Sequence, residues 1–326
     1  MATALVTGAR GFAGAWLARA LLARGERVVS LDKGRDERPA STLSLLEIDD
    51  DVVDVVGDLG DGEGLRSLLR EHRVDSVFHL AAETIVGTVQ ASPVRGFETN
   101  VRGTWTLLDA CLAEGVGRVV VASSDKAYGA HEELPYRESF ALQATAPYEA
   151  SKAAADIIAR SYWPSYGLPV AVTRFANIYG GADLNFSRLV PEAVCAALDG
   201  RAPVLRSDGS PERDFLYVED AAAAYLAIAD ALDRSDVRGE AFNAGGGRPH
   251  AVGDVVALIA RLAGTRVEPD IQGSGSPAGE IDRQYVDPGK LSEMCGWRPG
   301  VDLEEGLRRT IEWYREHPQV RPASVR

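Results

Sequence analysis

The chain has 326 residues, 45% hydrophobic and 25% charged, enough to bury a sizeable core and to form roughly two domains. Lys and Arg number 35 against 48 Asp and Glu, giving a formal charge of −13, which excludes the broad basic surface that nucleic acid or an anionic membrane requires. Any anionic ligand must be held by a local group of arginines. Three widely separated cysteines, Cys111, Cys195 and Cys295, have no metal-ligand spacing, so no metal is expected; free thiols suit a reducing cytoplasm better than a disulfide framework does.

The chain opens "MATALVTGARG", a short apolar run broken by glycines. It lacks the basic segment and long apolar core of a signal peptide. No later stretch approaches the ~18 apolar residues of a membrane span. Runs at 4–8, 27–32, 51–58, 76–82, 118–124 and 169–175 are predicted strands. Segments 12–24, 63–72, 93–114 and 148–166 between them carry helical spacing of apolar residues. The strands are continuously hydrophobic, as strands covered on both faces by helices must be. This alternation predicts an α/β fold, a doubly wound parallel Rossmann sheet. After about residue 176 the pattern becomes irregular and richer in Gly and Pro, with helices expected at 186–199, 219–232, 251–263 and 302–316. The expected division is therefore a dinucleotide-binding domain over 1–176 and a smaller α/β substrate-binding domain over 177–326, interleaved with the sheet.

"TGARGFAG" places Gly8, Gly11 and Gly14 between the first strand and the first helix. Glycines there permit a tight turn and let backbone N–H groups approach a pyrophosphate at the helix N-terminus. Asp32 closes the second strand, where a carboxylate accepts from an adenosine ribose and repels a 2′-phosphate, favouring NAD over NADP. Lys33 and Arg35 follow it, two cations that would favour the phosphate. Asp58, near the end of the third strand, can reach the adenine amino group. Phe12, Lys33 and Leu59 are grouped with this cofactor site.

"VASSDKAYG" ends a strand with Ser124, Asp125 and Lys126, and "PYEASK" places Tyr148 and Lys152 four apart at the start of a helix, hence on one face. A phenol is a poor base at neutral pH. A neighbouring ammonium and a positively charged nicotinamide would both favour its ionised form. Ser124 can bind the same substrate oxygen as Tyr148. Alone, such a Tyr–Lys pair also suits the edge of an amphipathic helix, and His79 in its apolar strand reads as structural.

These residues together resemble the extended short-chain dehydrogenase/reductase family. The likeness rests on Gly8, Gly11, Gly14, Asp32, Asp58, "HLAA" at 79–82, Asn100, Ser124, Tyr148 and Lys152. "RFANIYGG" (174–181), "RDFLYVED" (213–220), "DRQYVD" (282–287) and "GWRP" (296–299) extend it toward the C-terminus and resemble the branch acting on nucleotide-diphosphate sugars. "SSDKAYG" looks most like the CDP-glucose 4,6-dehydratase form, and "AAET" at 81–84 also resembles the dehydratases.

The resemblance implies bound NAD, contacted by Leu80, Ala81, Ala82, Asn100, Tyr148 and Lys152 as well as the residues above. It implies a nucleotide-diphosphate sugar held by Thr84, Ser124, Asn177, Arg188, Arg213 and Arg283. It also implies a homodimer formed by pairing the helices at 93–114 and 148–166. The reaction implied is a 4,6-dehydration: Tyr148 takes the O4 proton as C4 is oxidised, the C5 proton is lost, O6 departs and the stored hydride returns to C6. In that scheme Asp125 is the candidate acid, and Lys126 the candidate base or stabiliser of the enolate. A 4-epimerase, which needs only Ser124, Tyr148 and Lys152, is the alternative.

Overall fold

The computed structural model describes residues 1–34, 41–275 and 281–322; Arg35 lies outside the described residues. The chain runs β1 (Thr3–Thr7), α1 (Phe12–Ala23), β2 (Arg27–Asp32), a short α2 (Thr42–Leu45), β3 (Val52–Val56), α3 (Gly62–His72) and β4 (Ser76–His79). Two short helices follow, α4 (Val86–Ala91) and α5 (Pro93–Phe97), leading through a π turn at Glu98–Arg102 into α6 (Gly103–Glu114). Then come β5 (Arg118–Ala122), a 3-10 turn at Asp125–Tyr128, α7 (Pro147–Tyr166) and β6 (Val170–Phe175). The next stretch holds β7 (Asn177–Tyr179), α8 (Leu189–Leu198), β8 (Val204–Leu205), β9 (Glu212–Arg213), β10 (Phe215–Tyr217), α9 (Val218–Ala231) and β11 (Ala241–Ala244). The last is β12 (His250–Ala251), α10 (Val252–Ala263), β13 (Asp270–Ile271), β14 (Arg283–Gln284), α11 (Gly289–Cys295) and α12 (Leu303–Glu316).

The six expected strands form one parallel sheet, and β11 joins it from far along the chain, in the order β11-β6-β5-β4-β1-β2-β3. Successive strand residues point to opposite faces. Ala4, Val6, Val120 and Ala171 therefore pack with apolar residues of α1 and α9. Leu5, Val119, Val121 and Val172 pack on the other side with those of α3, α6 and α7. Each fully buried Val or Leu contributes about 1.5–3 kcal/mol, which explains why both faces are aliphatic. A third apolar cluster joins α8, α10 and α12 to Tyr179, Phe215 and Tyr217.

The helix expected over 93–114 is interrupted. The π turn rotates Asn100 inward, where it is 2% exposed. The chain leaves β1 toward β2 and β3, then returns to place β4 on the other side of β1. Such a reversal opens a crevice beyond the C-terminal strand ends, where ligands of open α/β sheets bind.

Candidate active site

A cavity of about 1190 Å³ occupies that crevice. Its floor is the turn after β1. Gly8 has φ +77°, and a Cβ there would stand 2.9 Å from the main chain of Ala81. A Cβ on Gly14 would stand 2.2 Å from the Gly8 carbonyl oxygen, so both glycines are required for the turn to close. Gly11, the N-cap of α1, gives no side-chain cap bond, and no acid lies in the helix's first turn. The cradle therefore offers backbone N–H groups and the positive helix end to a pyrophosphate, and it fits NAD. Phe12, Lys33, Leu59, Leu80, Ala81 and Ala82 line the same space.

Asp32 also lines it, accepting from Ser30 Oγ at 3.0 Å and from Arg10 N at 3.3 Å. Burial pushes its carboxyl up to about 6, against those two hydrogen bonds. The Arg10 guanidinium pairs with Asp54 on β3. Gly57 and Leu59 line the cavity, while the Asp58 side chain is 62% exposed, 3.6 Å from Lys33 Nζ and accepting from Gly60 N. Asn100 is also outside the lining. Its Oδ1 accepts from Glu83 N at 2.7 Å, and its Nδ2 donates to Glu83 O and Ser151 Oγ. With its amide used this way, Asn100 anchors the loop after β4 to α7.

The ends of β5 and α7 bring the acid–base residues together. Ser124 accepts from Lys126 N at 3.2 Å and donates to Asp125 Oδ1 at 3.1 Å. Asp125 is 2% exposed, and its Oδ2 has no hydrogen-bond partner among the described residues. Burial raises its pKa, opposed by Lys126, Ser124 and Arg213, so the carboxyl holds its proton more readily than a solvated one. Burial pushes the Tyr148 phenol up to about 12; Arg188 and the nearby Ser124 hydroxyl pull it down and Asp125 pushes it up. Lys152 donates Nζ to Ala122 O at 2.9 Å, and burial lowers it to about 8. His79 bridges Thr7 and Thr104, and burial, with some help from Lys152, lowers it to about 3. It is a neutral structural bridge. Among the described residues no group of three or more His, Cys, Asp or Glu is arranged to hold a metal.

Thr84, Asn177, Arg188 and Arg213 also line the cavity. Asn177 Nδ2 donates to Asp214 O, Arg188 pairs with Asp183 at 3.0 Å, and Arg213 donates to the Glu212 and Asp282 carbonyls. Arg283 is not among the lining residues. Its side chain is 58% exposed and donates to Glu212 at 2.6 Å, because alternation along β14 turns Gln284 inward instead. Sequence reasoning missed Gln284 and Arg206, both of which line the cavity. The first sits inside a quoted motif, where strand alternation was the available signal; the second carried none.

Fold and site together define an extended short-chain dehydrogenase/reductase. Residues 5–310 match the family described as GDP-mannose 4,6 dehydratase, and the chain belongs to that family. Over 96% of its length it is 35% identical to a dTDP-glucose 4,6-dehydratase of Xanthomonas campestris pv. campestris, covering 93% of that protein. A dTDP-glucose 4,6-dehydratase of Streptomyces antibioticus is 36% identical over 96% of this chain and 92% of its own. Among solved structures, UDP-glucose 4-epimerase of Thermotoga maritima with UDP-glucose matches with TM-score 0.89 and 28% identity, covering 97% of this chain and 99% of that one. The dTDP-glucose 4,6-dehydratase of Streptomyces venezuelae with NAD bound matches with TM-score 0.87 and 33% identity, covering 97% and 98%. These dehydratase relatives are named for dTDP-glucose, whereas the short loop "SSDKAYG" resembles the CDP-glucose form.

Proposed function

We propose that the protein is an NAD-dependent nucleotide-diphosphate-hexose 4,6-dehydratase. The observation that carries this reading is Asp125, buried beside Ser124 and Lys126 in the cavity that also holds Tyr148 and Lys152. Exchange of hydride at C4 alone needs one proton relay, and Tyr148 with Ser124 supplies it. A second, proton-retaining carboxyl is what loss of water requires.

NAD supplies a hydride acceptor at C4 and the donor that later reduces C6. The chain's own residues do the rest. Ser124 orients O4, and Tyr148 Oη takes the O4 proton. The C4 ketone then acidifies the C5 proton, which Lys126 removes or whose enolate it stabilises. Asp125 gives its proton to O6, which leaves as water; once hydride reaches C6, the resulting enolate takes a proton back at C5 from Lys126 or solvent. Arg213 and Arg188, with Asn177, hold the diphosphate; planar guanidinium suits that contact. In this reading residues 1–176 serve mainly the cofactor and 177–326 the sugar nucleotide.

The small-molecule partner is thus a nucleotide-diphosphate sugar, and the protein works as a homodimer. Val94, Phe97, Trp105 and Ile157 are exposed large apolar side chains on α5, α6 and α7, Val94 by 73% and Ile157 by 60%. A helix pair of this kind favours burial against a second copy. The three cysteines are free, which suits the cytoplasm. No described helix is long and apolar enough to cross a membrane.

A 4-epimerase is the second reading, favoured by the likeness to the Thermotoga maritima epimerase. Incubation with a panel of dTDP-, UDP-, CDP- and GDP-hexoses separates the two. A dehydratase yields a product with a C6 methyl and a C4 ketone by NMR. An epimerase yields only the C4 epimer.

A further inference from the structure

We propose that Gln284 is a positioning residue for Lys126 and a hydrogen-bond donor to the bound sugar nucleotide. This rests on the dehydratase reading above. Gln284 belongs to β14, which pairs in parallel with β9 so that Gln284 lies opposite Arg213. Its backbone is pinned, because Asp214 N donates to Gln284 O at 3.0 Å and the Asp214 carboxylate accepts from Val286 N and Gly246 N. The side chain is 2% exposed and lines the cavity.

Its two ends do different things. Oε1 lies 3.5 Å from Lys126 Nζ, the outer limit of a hydrogen bond, and accepts from it. Nε2 is buried and has no partner among the described residues. Buried amide donors are almost always satisfied, so a donor left open in a ligand cavity points to the ligand. Asp125 Oδ2 is open in the same way, so the two groups flank Lys126 with one acidic and one donor function. A neutral amide supplies both an acceptor and a donor here. An Arg or Lys has no acceptor for Lys126 Nζ, and an aliphatic side chain has neither function. The Nε2 partner is an oxygen of the hexose diphosphate, either a sugar hydroxyl or a phosphate oxygen. The first role steers the C5 step through Lys126; the second strengthens binding.

The test uses the full-length enzyme with its cofactor and the sugar nucleotide it turns over in the panel above. Gln284→Met removes both functions at similar volume. Gln284→Glu keeps an acceptor oxygen for Lys126 and loses the donor. In single turnovers we expect Gln284→Met to slow C5 proton loss and dehydration about tenfold or more, while C4 oxidation stays within about twofold. Gln284→Glu should keep dehydration within about threefold of the parent. Both should bind the sugar nucleotide about fivefold or more weakly by calorimetry. Weakened binding of the bare nucleoside diphosphate as well assigns the donor to a phosphate; unaltered binding of it assigns the donor to the sugar. In a double-mutant cycle, Gln284→Met on a Lys126→Met background should slow dehydration by less than about twofold further.

The proposal is overturned if Gln284→Met changes neither dehydration nor binding. It is also overturned if both variants lose C4 oxidation and dehydration equally, together with a lower melting temperature. Should Gln284→Met fail to fold, the Gln284→Glu binding measurement decides alone. If the unaltered enzyme makes no 4-keto-6-deoxy sugar from any nucleotide hexose, the dehydratase reading fails instead, and the binding measurements still judge the Gln284 contact.

Discussion

Lys152 donates its Nζ to the carbonyl oxygen of Ala122, 2.9 Å away at the end of β5, and so ties α7 to the strand that leads into Ser124 and Asp125. Tyr148, one turn earlier on the same helix, meets Ser124 across this junction. The lysine thus has a structural bond as well as a charge, and the phenol, pushed up to about 12 by burial, rests neutral. Its activation must come when substrate and the oxidised cofactor bring positive charge beside it.

Tyr148→Phe keeps the ring and its packing while removing the proton acceptor. Turnover should fall by roughly a hundredfold or more, the usual scale of general acid–base catalysis. NAD affinity by calorimetry should stay within a few-fold. Near-normal turnover would move the proton transfer to another residue.

Asp32 predicts both cofactor choice and its pH dependence. NAD should bind far more tightly than NADP, because the half-buried carboxylate accepts from a ribose and repels a 2′-phosphate. The free protein holds this carboxyl up to about 6, and a bound ribose favours the ionised form, so binding expels a proton below that pH. NAD affinity should therefore weaken as pH falls through about 6, and Asp32→Asn should lose that dependence. Equal NAD and NADP affinities at neutral pH contradict the assignment.

His79 predicts how the fold responds to acid. It is neutral where it bridges Thr7 and Thr104, held at about 3 by burial, whereas an unfolded chain has it near 6.5. The unfolded state binds the extra proton, so stability is lost as pH falls below about 6.5. At pH 5 this linkage costs about 2 kcal/mol. Denaturant unfolding at pH 7 and pH 5 measures it, and in His79→Gln the difference between the two should shrink by about that amount. An unchanged difference would place the acid sensitivity elsewhere.

Much of this was legible from the residues in order. The aliphatic runs that became β1, β2, β4, β5 and β6 are buried on both faces, so their chemistry announced them. Gly8 and Gly14 were legible because no Cβ fits where they sit. Arg283 and Asn100 were not. Whether Arg283 or Gln284 enters the cavity depends on the register of a two-residue strand against β9, set by contacts distant in sequence. The inward turn of Asn100 depends on a π turn, which propensity does not reveal. Arg206 follows the two-residue β8, whose Leu205 packs in the cluster of α8, α10 and α12, and no local pattern marks it for the cavity.

Whether Asp125 and Lys126 make this an eliminating enzyme is decided by turnover in deuterated water. The enzyme is given the nucleotide hexose it accepts, and the product is examined at C5 by NMR. Elimination must break the C5–H bond, so a 4-keto-6-deoxy product carrying solvent deuterium at C5 is expected. Asp125→Asn should also slow water loss much more than C4 oxidation, letting a 4-keto hexose with its C6 hydroxyl accumulate. An undeuterated C4 epimer as the sole product would contradict the account and leave Asp125 and Lys126 as a polar strand end.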